Sequence, residues 1–407
     1  MFVAVLIFII ILGMLIFVHE LGHFVVARRN GVKASEFGFG FPPRIVGFQF
    51  LREVGGPEKK TKLFSKWRII WGSQDGDDEN EKKDLSEAHE KKLRGGTIYS
   101  LNWLPLGGFV KIKGEDGGSR NEPDSFSSKS PWKRIKILAA GVVMNFVFAW
   151  VLLSIAFMIG APEQIDSSVG VSNAKSKIQI SEIIAGAPAS MMGLKVGDEI
   201  SKMQTDSSGK SVSLQNVKEV QDYINANRGK EITLEILRGK EKIVLKGTPR
   251  VDAPQGQGAL GIALAETILV RYPWHEAIWR GLISVWDMTA MIFVGLFGLI
   301  RMLFAGHGGA AADVSGPIGI AILTKEVANL GLVYIIQFAA ILSVNLGIIN
   351  ILPIPALDGG RILFVFIEKL KGSPVSQKVE QSFHTIFFAL LMLLMVAVTY
   401  RDIIKLF

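Results

Sequence analysis

The stretch FVHELGHFVVAR, residues 17–28, decides how this chain is read, because it places ionisable side chains inside an apolar helix. The preceding segment, Met1–Val18, carries no charge and is mostly apolar. A charged side chain at the centre of a bilayer costs about 2.5–3.5 kcal/mol even on a lenient insertion scale. His19, Glu20 and His23 therefore need a partner that offsets this cost, and that partner points to the function.

The apolar residues of the 407-residue chain are clustered into segments of nearly membrane-spanning length. A helix needs about 20 apolar residues to cross the hydrocarbon core. Four such segments carry no charge, and a fifth, Gly281–Ile300, is interrupted by Asp287. The first segment lacks a basic start and an A-x-A cleavage site, so we expect it to be retained. The pattern predicts a polytopic α-helical membrane protein, and the four uncharged segments are Met1–Val18, Ile137–Ala161, Gly331–Leu357 and Ser382–Tyr400.

The net charge of +8 is concentrated in the first loop, Arg28–Lys136, where basic residues flank the apolar segments. Loops next to spans that are rich in Lys and Arg face the cytoplasm. These charges lie at membrane edges and alternate with acids, which argues against nucleic-acid binding. The chain has no cysteine, so disulfides and thiolate metal sites are excluded.

Two parts of the chain have the composition of folded polar domains. In the first loop, the alternation in Phe37–Phe41 and Phe109–Lys113 predicts short strands, which a charged insertion at about residues 49–96 interrupts. Its charged stretch WGSQDGDDENEKKDLSEAHEKKLRGG (71–96) is predicted to be partly disordered or loosely helical. Further along, AGAPASMMGLKVGDEI (185–200), an amphipathic helix and a hairpin around Arg238–Lys240 resemble a single PDZ domain.

The HELGH motif predicts a zinc site. On a helix, His19 and His23 lie one turn apart on one face, and two imidazoles at that spacing can bind one Zn²⁺. Glu20 projects from a neighbouring face, where it can act as general base toward a water that zinc activates. The bound cation would compensate the buried glutamate. The alternative is an accidental motif whose side chains snorkel to the interface.

A third ligand must be distant, because no histidine follows in HFVVARRNG (23–31). Asp358, in NILPIPALDGGRI (350–362), ends an apolar segment after two prolines, although it could instead cap the next helix. If the first loop is cytoplasmic, the PDZ-like domain lies outside, and one crossing must bring Asp358 back to the depth of His19. Gly331–Leu357 supplies that crossing, so Gly281–Ile300 is predicted to lie along the membrane, which makes four spans.

The chain resembles the site-2 proteases, bacterial zinc metalloproteases of regulated intramembrane proteolysis. The resemblance rests on an ordered set of motifs: HELGH, GFGF (38–41), PLGGFVKIKGE, one PDZ unit, SGPIGIA and SVNLGIINILPIPALDGGR. The resemblance covers most of the chain outside about residues 49–96. It implies that His19, His23 and Asp358 bind zinc and that Glu20 is the catalytic base. It also implies a membrane-re-entrant β-element that receives the substrate as an added strand.

The resemblance further implies a set of substrate-binding residues. Freed backbone amides of an unwound helix are costly in lipid unless other groups accept them. Asn345 and Asn350 could accept such amides, and the alternative for both is helix–helix hydrogen bonding. The chain departs from the family pattern in having one PDZ unit where proteobacterial relatives have two, and Arg361 where some relatives carry His. The predicted substrate-binding residues are Asn345, Asn350, Gly107 and Gly108.

These observations predict an intramembrane zinc metalloendopeptidase in a bacterial cytoplasmic membrane, with an extracytoplasmic PDZ domain. Its partners would be the lipid bilayer and single-pass substrates such as anti-sigma factors or signal-peptide remnants, with a peptide or substrate C-terminus as a candidate PDZ ligand. The alternatives are a non-catalytic PDZ-bearing scaffold and a metal transporter. The predicted domains are span 1 (1–27), the cytoplasmic or re-entrant β loop (28–130), span 2 (131–161), the α+β PDZ domain (165–265), an amphipathic segment (266–328), span 3 (329–357), a cytoplasmic-side helix (358–380) and span 4 (381–402).

Overall fold

The structure is a computed structural model, and it describes eleven stretches of the chain. The predicted polytopic membrane protein with an inserted β-containing domain is confirmed, since long apolar helices alternate with two β-sheets. The chain divides into two compact units, one of Met1–Leu152, Gly281–Thr324 and Phe338–Phe407, the other of Leu153–Arg280 and Lys325–Gln337. The described residues are 2–53, 66–72, 93–164, 177–184, 186–205, 211–212, 216–239, 241–254, 257–304, 316–373 and 375–404.

The first unit begins with α1 (Phe2–Arg29), a helix of 28 residues whose apolar sequence is interrupted by the HELGH motif. The chain then forms β1 (Ala34–Glu53), β2 (Lys66–Trp71) and β3 (Leu93–Ile112), which make a sheet in the order β2–β1–β3. The antiparallel register runs from Ala34 opposite Ile112 to Glu53 opposite Leu93, with irregularities from Ala34 to Val46 and between Gln49 and Leu51.

The two long strands of this sheet extend into the region that we predicted to be a charged insertion. β1 reaches Glu53, Lys66–Trp71 is a strand, and β3 begins at Leu93, within the stretch predicted to be disordered or loosely helical. Sequence alone missed β2 because a six-residue strand between charged stretches carries little pattern of its own. The rest of the insertion lies outside the described residues.

One face of this sheet is aromatic and exposed. Phe48 stands opposite Ile69 on β2 and opposite Tyr99 on β3, so these three side chains share a face, and all are exposed. On the other face, polar residues such as Gln49 and Ser100 are buried. The sheet thus exposes apolar side chains and buries polar ones, which is the reverse of a water-soluble sheet.

The remaining helices of the first unit complete the apolar framework. α2 (Pro131–Ile159) follows the first sheet, and the first unit takes its residues up to Leu152. A core of Ala27, Ile112, Ile137 and Val365 joins α1, β3, α2 and the helix that contains Val365. The later helices of the chain are α5 (Trp274–Phe304), α6 (Pro317–Leu330), α7 (Leu332–Ile351), α8 (Asp358–Lys371) and α9 (Gln377–Ile404).

Five described helices are long and apolar enough to cross a membrane by length and composition, whereas we predicted four spans. The additional one is α5, which covers the segment Gly281–Ile300 that we predicted to lie along the membrane. Asp287 does not interrupt the helix. Length and composition do not decide whether this fifth apolar segment crosses, so the four crossings, with α5 along the membrane, stay a prediction.

The second unit is built around a sheet in the order β4–β10–β5–β6–β8–β9, with β7 paired to β6. A ten-residue amphipathic helix, α4, packs Val220 and Ile224 into the core, and its N-cap Asn216 accepts a hydrogen bond from the Glu219 N–H. The elements are β4 (Ala161–Gln164), β5 (Lys177–Ile183), α3 (Pro188–Met191), β6 (Glu199–Thr205), β7 (Ser211–Val212), α4 (Val217–Ala226), β8 (Ile232–Arg238), β9 (Glu241–Gly247) and β10 (Ile262–Val270).

Candidate metal centre

The two histidines of α1 converge on a single point. The i, i+4 spacing places His19 and His23 on one face of the helix, and their Nε2 atoms lie 3.1 Å apart. Both residues are 6% exposed. Two buried imidazoles with their Nε2 atoms this close can supply two of the four ligands of a tetrahedral zinc ion.

Asp358 supplies a carboxylate to the same point. It is the first residue of α8, and its Oδ2 atom lies 2.9 Å from Nε2 of His19 and 3.3 Å from Nε2 of His23. Asp358 is not the cap of this helix, because Leu357 occupies the N-cap position. Its carboxylate is instead directed at the histidines.

The Gly-Gly pair after Asp358 is required by close packing. A Cβ atom on Gly359 would lie 2.2 Å from the carbonyl oxygens of Ile351 and Leu352, and one on Gly360 would lie 2.3 Å from that of Ile354. Any side chain here would push α8 away from the end of α7. The glycines therefore allow the aspartate to reach the histidines.

These three side chains fit a zinc ion. A tetrahedral ion with ligand bonds of about 2.0–2.1 Å holds its ligand atoms about 3.3 Å apart, and the three atoms here are separated by 2.9–3.3 Å. Two neutral imidazoles and one carboxylate, with room for a fourth ligand, are the donor set of hydrolytic zinc sites. Among the described residues, His19, His23 and Asp358 form the one group of three or more such side chains that could hold a metal.

A cavity of about 190 Å³ opens beside this cluster. Glu20, half-buried, lines it together with two of the metal-binding candidates, and its carboxylate accepts a hydrogen bond from the backbone N–H of Val110. The cavity thus contains the base expected from the motif. Its lining is Ile16, His19, Glu20, Leu346, Asn350, Ala356, Leu357 and Asp358.

The predicted substrate-binding residues fall in different places. Asn350 lines the cavity, whereas Asn345 is half-buried on α7 and is not part of the lining. Gly107, at φ +116°, and Gly108 pack against Ile16 and Phe17 of α1, where a Cβ atom on Gly107 would lie 2.7 Å from the side chain of Ile16. The roles assigned to these four residues stay predictions.

Helix α2 supports both histidines, which sequence reasoning did not foresee. His23 donates from Nδ1 to the carbonyl oxygen of Ile137 at 2.8 Å, and the side-chain amide of Asn145 lies 3.1 Å from Nδ1 of His19. A Cβ atom on Gly141 would lie 2.4 Å from Nε2 of His23. The available signal was an uncharged polar residue, Asn145, in an otherwise apolar span.

His384 also has a defined place. It is not part of the three-residue cluster. Its Nδ1 atom accepts a hydrogen bond of 2.9 Å from the N–H of Ala356, which has φ +86°. His384 therefore supports the turn that leads into Asp358.

Comparison with known proteins covers almost the whole chain. The sequence profile of peptidase family M50 matches residues 7–55 and 87–394, which include all four residues of the candidate centre. The chain is 31% identical to the regulator of sigma-W protease RasP of Bacillus subtilis, with 99% of each chain covered. It is 30% identical to the zinc metalloprotease RasP of Geobacillus kaustophilus, over 99% of this chain and 98% of that relative.

Proposed function

We propose residue roles, a substrate class and a membrane topology from the premise that this chain belongs to peptidase family M50. It is a multi-pass, membrane-embedded zinc metalloprotease. In our proposal His19, His23 and Asp358 hold the zinc ion. The observation that carries this assignment is the convergence of their two Nε2 atoms and one Oδ2 atom within 3.3 Å of one another, beside Glu20.

Glu20 is the general base and acid of the proposed reaction. Zinc, when bound, supplies a Lewis acid that activates water and polarises a peptide carbonyl. Glu20 takes a proton from the attacking water as its oxygen bonds to the carbonyl carbon. The same carboxyl group then delivers the proton to the leaving amine as the C–N bond breaks. The Val110 N–H bond orients the carboxylate for both transfers.

The proposed substrates are single-pass membrane proteins, cleaved within or near their transmembrane helix. His19 and His23 come directly after the long apolar run of α1 that ends at Val18 and are followed by the apolar residues 24–27, so a scissile bond must reach them at membrane depth. A helical segment must unwind there, and Asn350 in the cavity offers an amide to the freed backbone. The name of the Bacillus subtilis relative, a protease that regulates sigma-W, supports anti-sigma factors as one substrate group, beside signal-peptide remnants.

The first sheet is the proposed membrane-re-entrant element. Its exposed aromatic face, with Phe48, Tyr99 and the tryptophans Trp67 and Trp71 of β2, suits contact with lipid and its interface. Gly107 and Gly108 hold β3 against α1 close to His19. A substrate strand added beside β3 would therefore lie near the zinc ligands.

The proposed topology keeps four crossings, with α5 along the membrane. The N–H of Gly319, near the start of α6, donates to Oδ2 of Asp402 in the last turn of α9 at 2.8 Å. Gln377, at the first turn of α9, instead bonds the carbonyl of Asp116 in the first loop. If that loop is cytoplasmic, α6 starts at the outer side, where α5 also begins after the PDZ-like domain.

A crossing by α5 would then require residues 305–315 to return across the bilayer. These eleven residues are fewer than the about 20 that a helix needs to cross, so we place α5 along the membrane. In this topology the PDZ-like domain is extracytoplasmic, in a bacterial cytoplasmic membrane, and is available to a peptide or a substrate C-terminus.

Cleavage of a single-pass reporter substrate in liposomes tests the proposal. Wild type and Glu20→Gln are compared, with zinc measured in both, and Asp287→Asn on the exposed face of α5 is the matched carboxylate control. We expect about one zinc in all three, cleavage by wild type and the control, and loss of cleavage in Glu20→Gln. Equal zinc content without cleavage of any unwound helix by wild type would favour the scaffold alternative. Full zinc binding by His23→Ala would refute the ligand assignment.

A further inference from the structure

Asn145 contacts His19 but is not itself one of the candidate metal ligands. Asn145 is fully buried in α2, and its side-chain amide lies 3.1 Å from Nδ1 of His19. The corresponding nitrogen of His23 bonds the carbonyl oxygen of Ile137, eight positions earlier on the same helix. One helix thus contacts the Nδ1 atoms of both imidazoles, and its Gly141 also lies close to their Nε2 atoms.

The proton position on His23 follows directly from its partner. A carbonyl oxygen can only accept, so Nδ1 of His23 carries a hydrogen, and in the neutral ring that binds a cation Nε2 then has the lone pair. His19 must be in the same tautomer if its Nε2 atom, 2.9 Å from Oδ2 of Asp358, is to bind a cation. Its Nδ1–H group then needs an acceptor, and the neighbouring group is the amide of Asn145.

The amide of Asn145 can supply that acceptor by a half-turn about its last side-chain bond. As placed, its nitrogen faces His19, and within the part of the chain that the structure describes its Oδ1 atom is buried without a hydrogen-bond partner. The two ends of an amide are interchangeable in position, and the hydrogen-bond network decides between them. A donated N–H would instead force the proton onto Nε2, where it would block a cation.

We propose that Asn145 is a positioning residue of the zinc centre, whose Oδ1 atom accepts a hydrogen bond from Nδ1–H of His19. This inference rests on the proposed zinc ligands. The bond holds the ring in the orientation and tautomer that present Nε2 to the metal, as partners behind metal-bound histidines generally do. Unlike the Ile137 carbonyl, this support is a side chain and can be removed by substitution.

The backbone of Asn145 has a separate structural role, which provides a control. Ser343 of α7, itself fully buried, donates from Oγ to the carbonyl oxygen of Asn145 at 2.8 Å. This bond joins α2 to α7 without involving the Asn145 side chain. Ser343→Ala therefore perturbs helix packing at the same residue and leaves the support of His19 in place.

Zinc affinity of the full-length protein in detergent, measured by competition with a chromophoric chelator, tests the inference. We expect Asn145→Leu, which removes the acceptor at similar volume, to weaken zinc binding by about 10–100-fold. Asn145→Asp keeps an acceptor and should bind zinc within about threefold of wild type or more tightly. Ser343→Ala should lower the thermal stability of the metal-free protein and leave zinc affinity within about threefold.

The outcomes separate this inference from the proposed ligand set. Zinc binding by Asn145→Leu within threefold of wild type would overturn it, and so would an Asn145→Asp variant that loses affinity as Asn145→Leu is expected to. If Asn145→Leu does not fold, Asn145→Asp decides by the same criterion. His23→Ala is the reference: undiminished zinc binding there refutes the ligand set, whereas its loss beside unchanged Asn145 variants refutes only the role of Asn145.

Discussion

Arg361 and Glu115 form an ion pair that joins the first turn of α8 to the loop after β3. Asp358 lies three residues before Arg361 on the same helix. Gln377 at the start of α9 donates to the carbonyl of Asp116 in the same loop at 2.6 Å. The loop that follows β3 therefore holds the helix that carries Asp358, and links the β-element to the metal centre.

Exchange of the two charges tests this link. Arg361→Glu places two carboxylates together and should lower cleavage of a single-pass reporter at least about tenfold, since like charges at this distance repel. The exchange Arg361→Glu with Glu115→Arg should recover most of the activity, which double-mutant kinetics would measure. An exchange variant no better than the single variant would show that the two residues do not act as a pair.

Gly141→Ala tests how closely α2 packs against the Nε2 atoms of the two histidines. The new Cβ would lie 2.4 Å from Nε2 of His23 and 2.7 Å from His19, so one of the rings must move. We expect less than one zinc per chain, measured by elemental analysis after desalting. Gly295→Ala on α5, where a Cβ would have no atom within 4 Å among the described residues, is the matched control and should keep its zinc. Full zinc in Gly141→Ala would contradict this packing.

Arg238→Met tests the buried ion pair of the second unit. Asp198 is 1% exposed, and Arg238 donates to both of its carboxylate oxygens at 2.7 and 2.8 Å. Removal of the arginine leaves a buried charge and should cost about 3 kcal/mol of the free energy of unfolding. Urea-dependent proteolysis of the full chain would measure it.

The control for this variant is an exposed pair in the same sheet. Lys202 and Glu235 are 4.0 Å apart and largely solvated, so Lys202→Met should cost under about 0.5 kcal/mol. Equal losses in Lys202→Met and Arg238→Met would contradict the argument from burial.

A pH-dependent contribution is expected from Lys113 in the first loop. Its hydrogen bond to Asp124, 2.8 Å long, holds the pKa of that carboxyl below its usual value, and Lys113 also bonds Glu122. A carboxyl group with a lowered pKa in the folded state stabilises it above the unfolded-state pKa, and this is lost as the pH falls through the folded value.

Lys113→Met should therefore lower the thermal midpoint most near neutral pH. The difference from wild type should shrink as the pH drops below about 4. Thermal scans of both proteins between pH 3 and pH 8, expected to differ by a few degrees at most for so exposed a pair, would check it. A difference independent of pH would show that the lysine contributes by packing rather than by charge.

Local patterns predicted the parts of the molecule that depend on neighbouring residues. The spacing of His19 and His23 on one helix face needs only 3.6 residues per turn, and the apolar segments follow from composition. The pairing of Asp358 with them came from topology and family likeness, and the structure brings their atoms together. The strand Lys66–Trp71 was missed, because a short strand depends on its partner.

The sequence by itself determined that this is a membrane protein with a histidine pair on its first helix, because hydropathy and helical periodicity are local properties. Only the tertiary structure decided what surrounds that pair. Asn145, Gly141 and the Ile137 carbonyl lie more than a hundred residues along the chain from His19 and His23, and no periodicity relates them. Their positions follow from how closely α2 packs on α1, which depends on the shapes of both helices together.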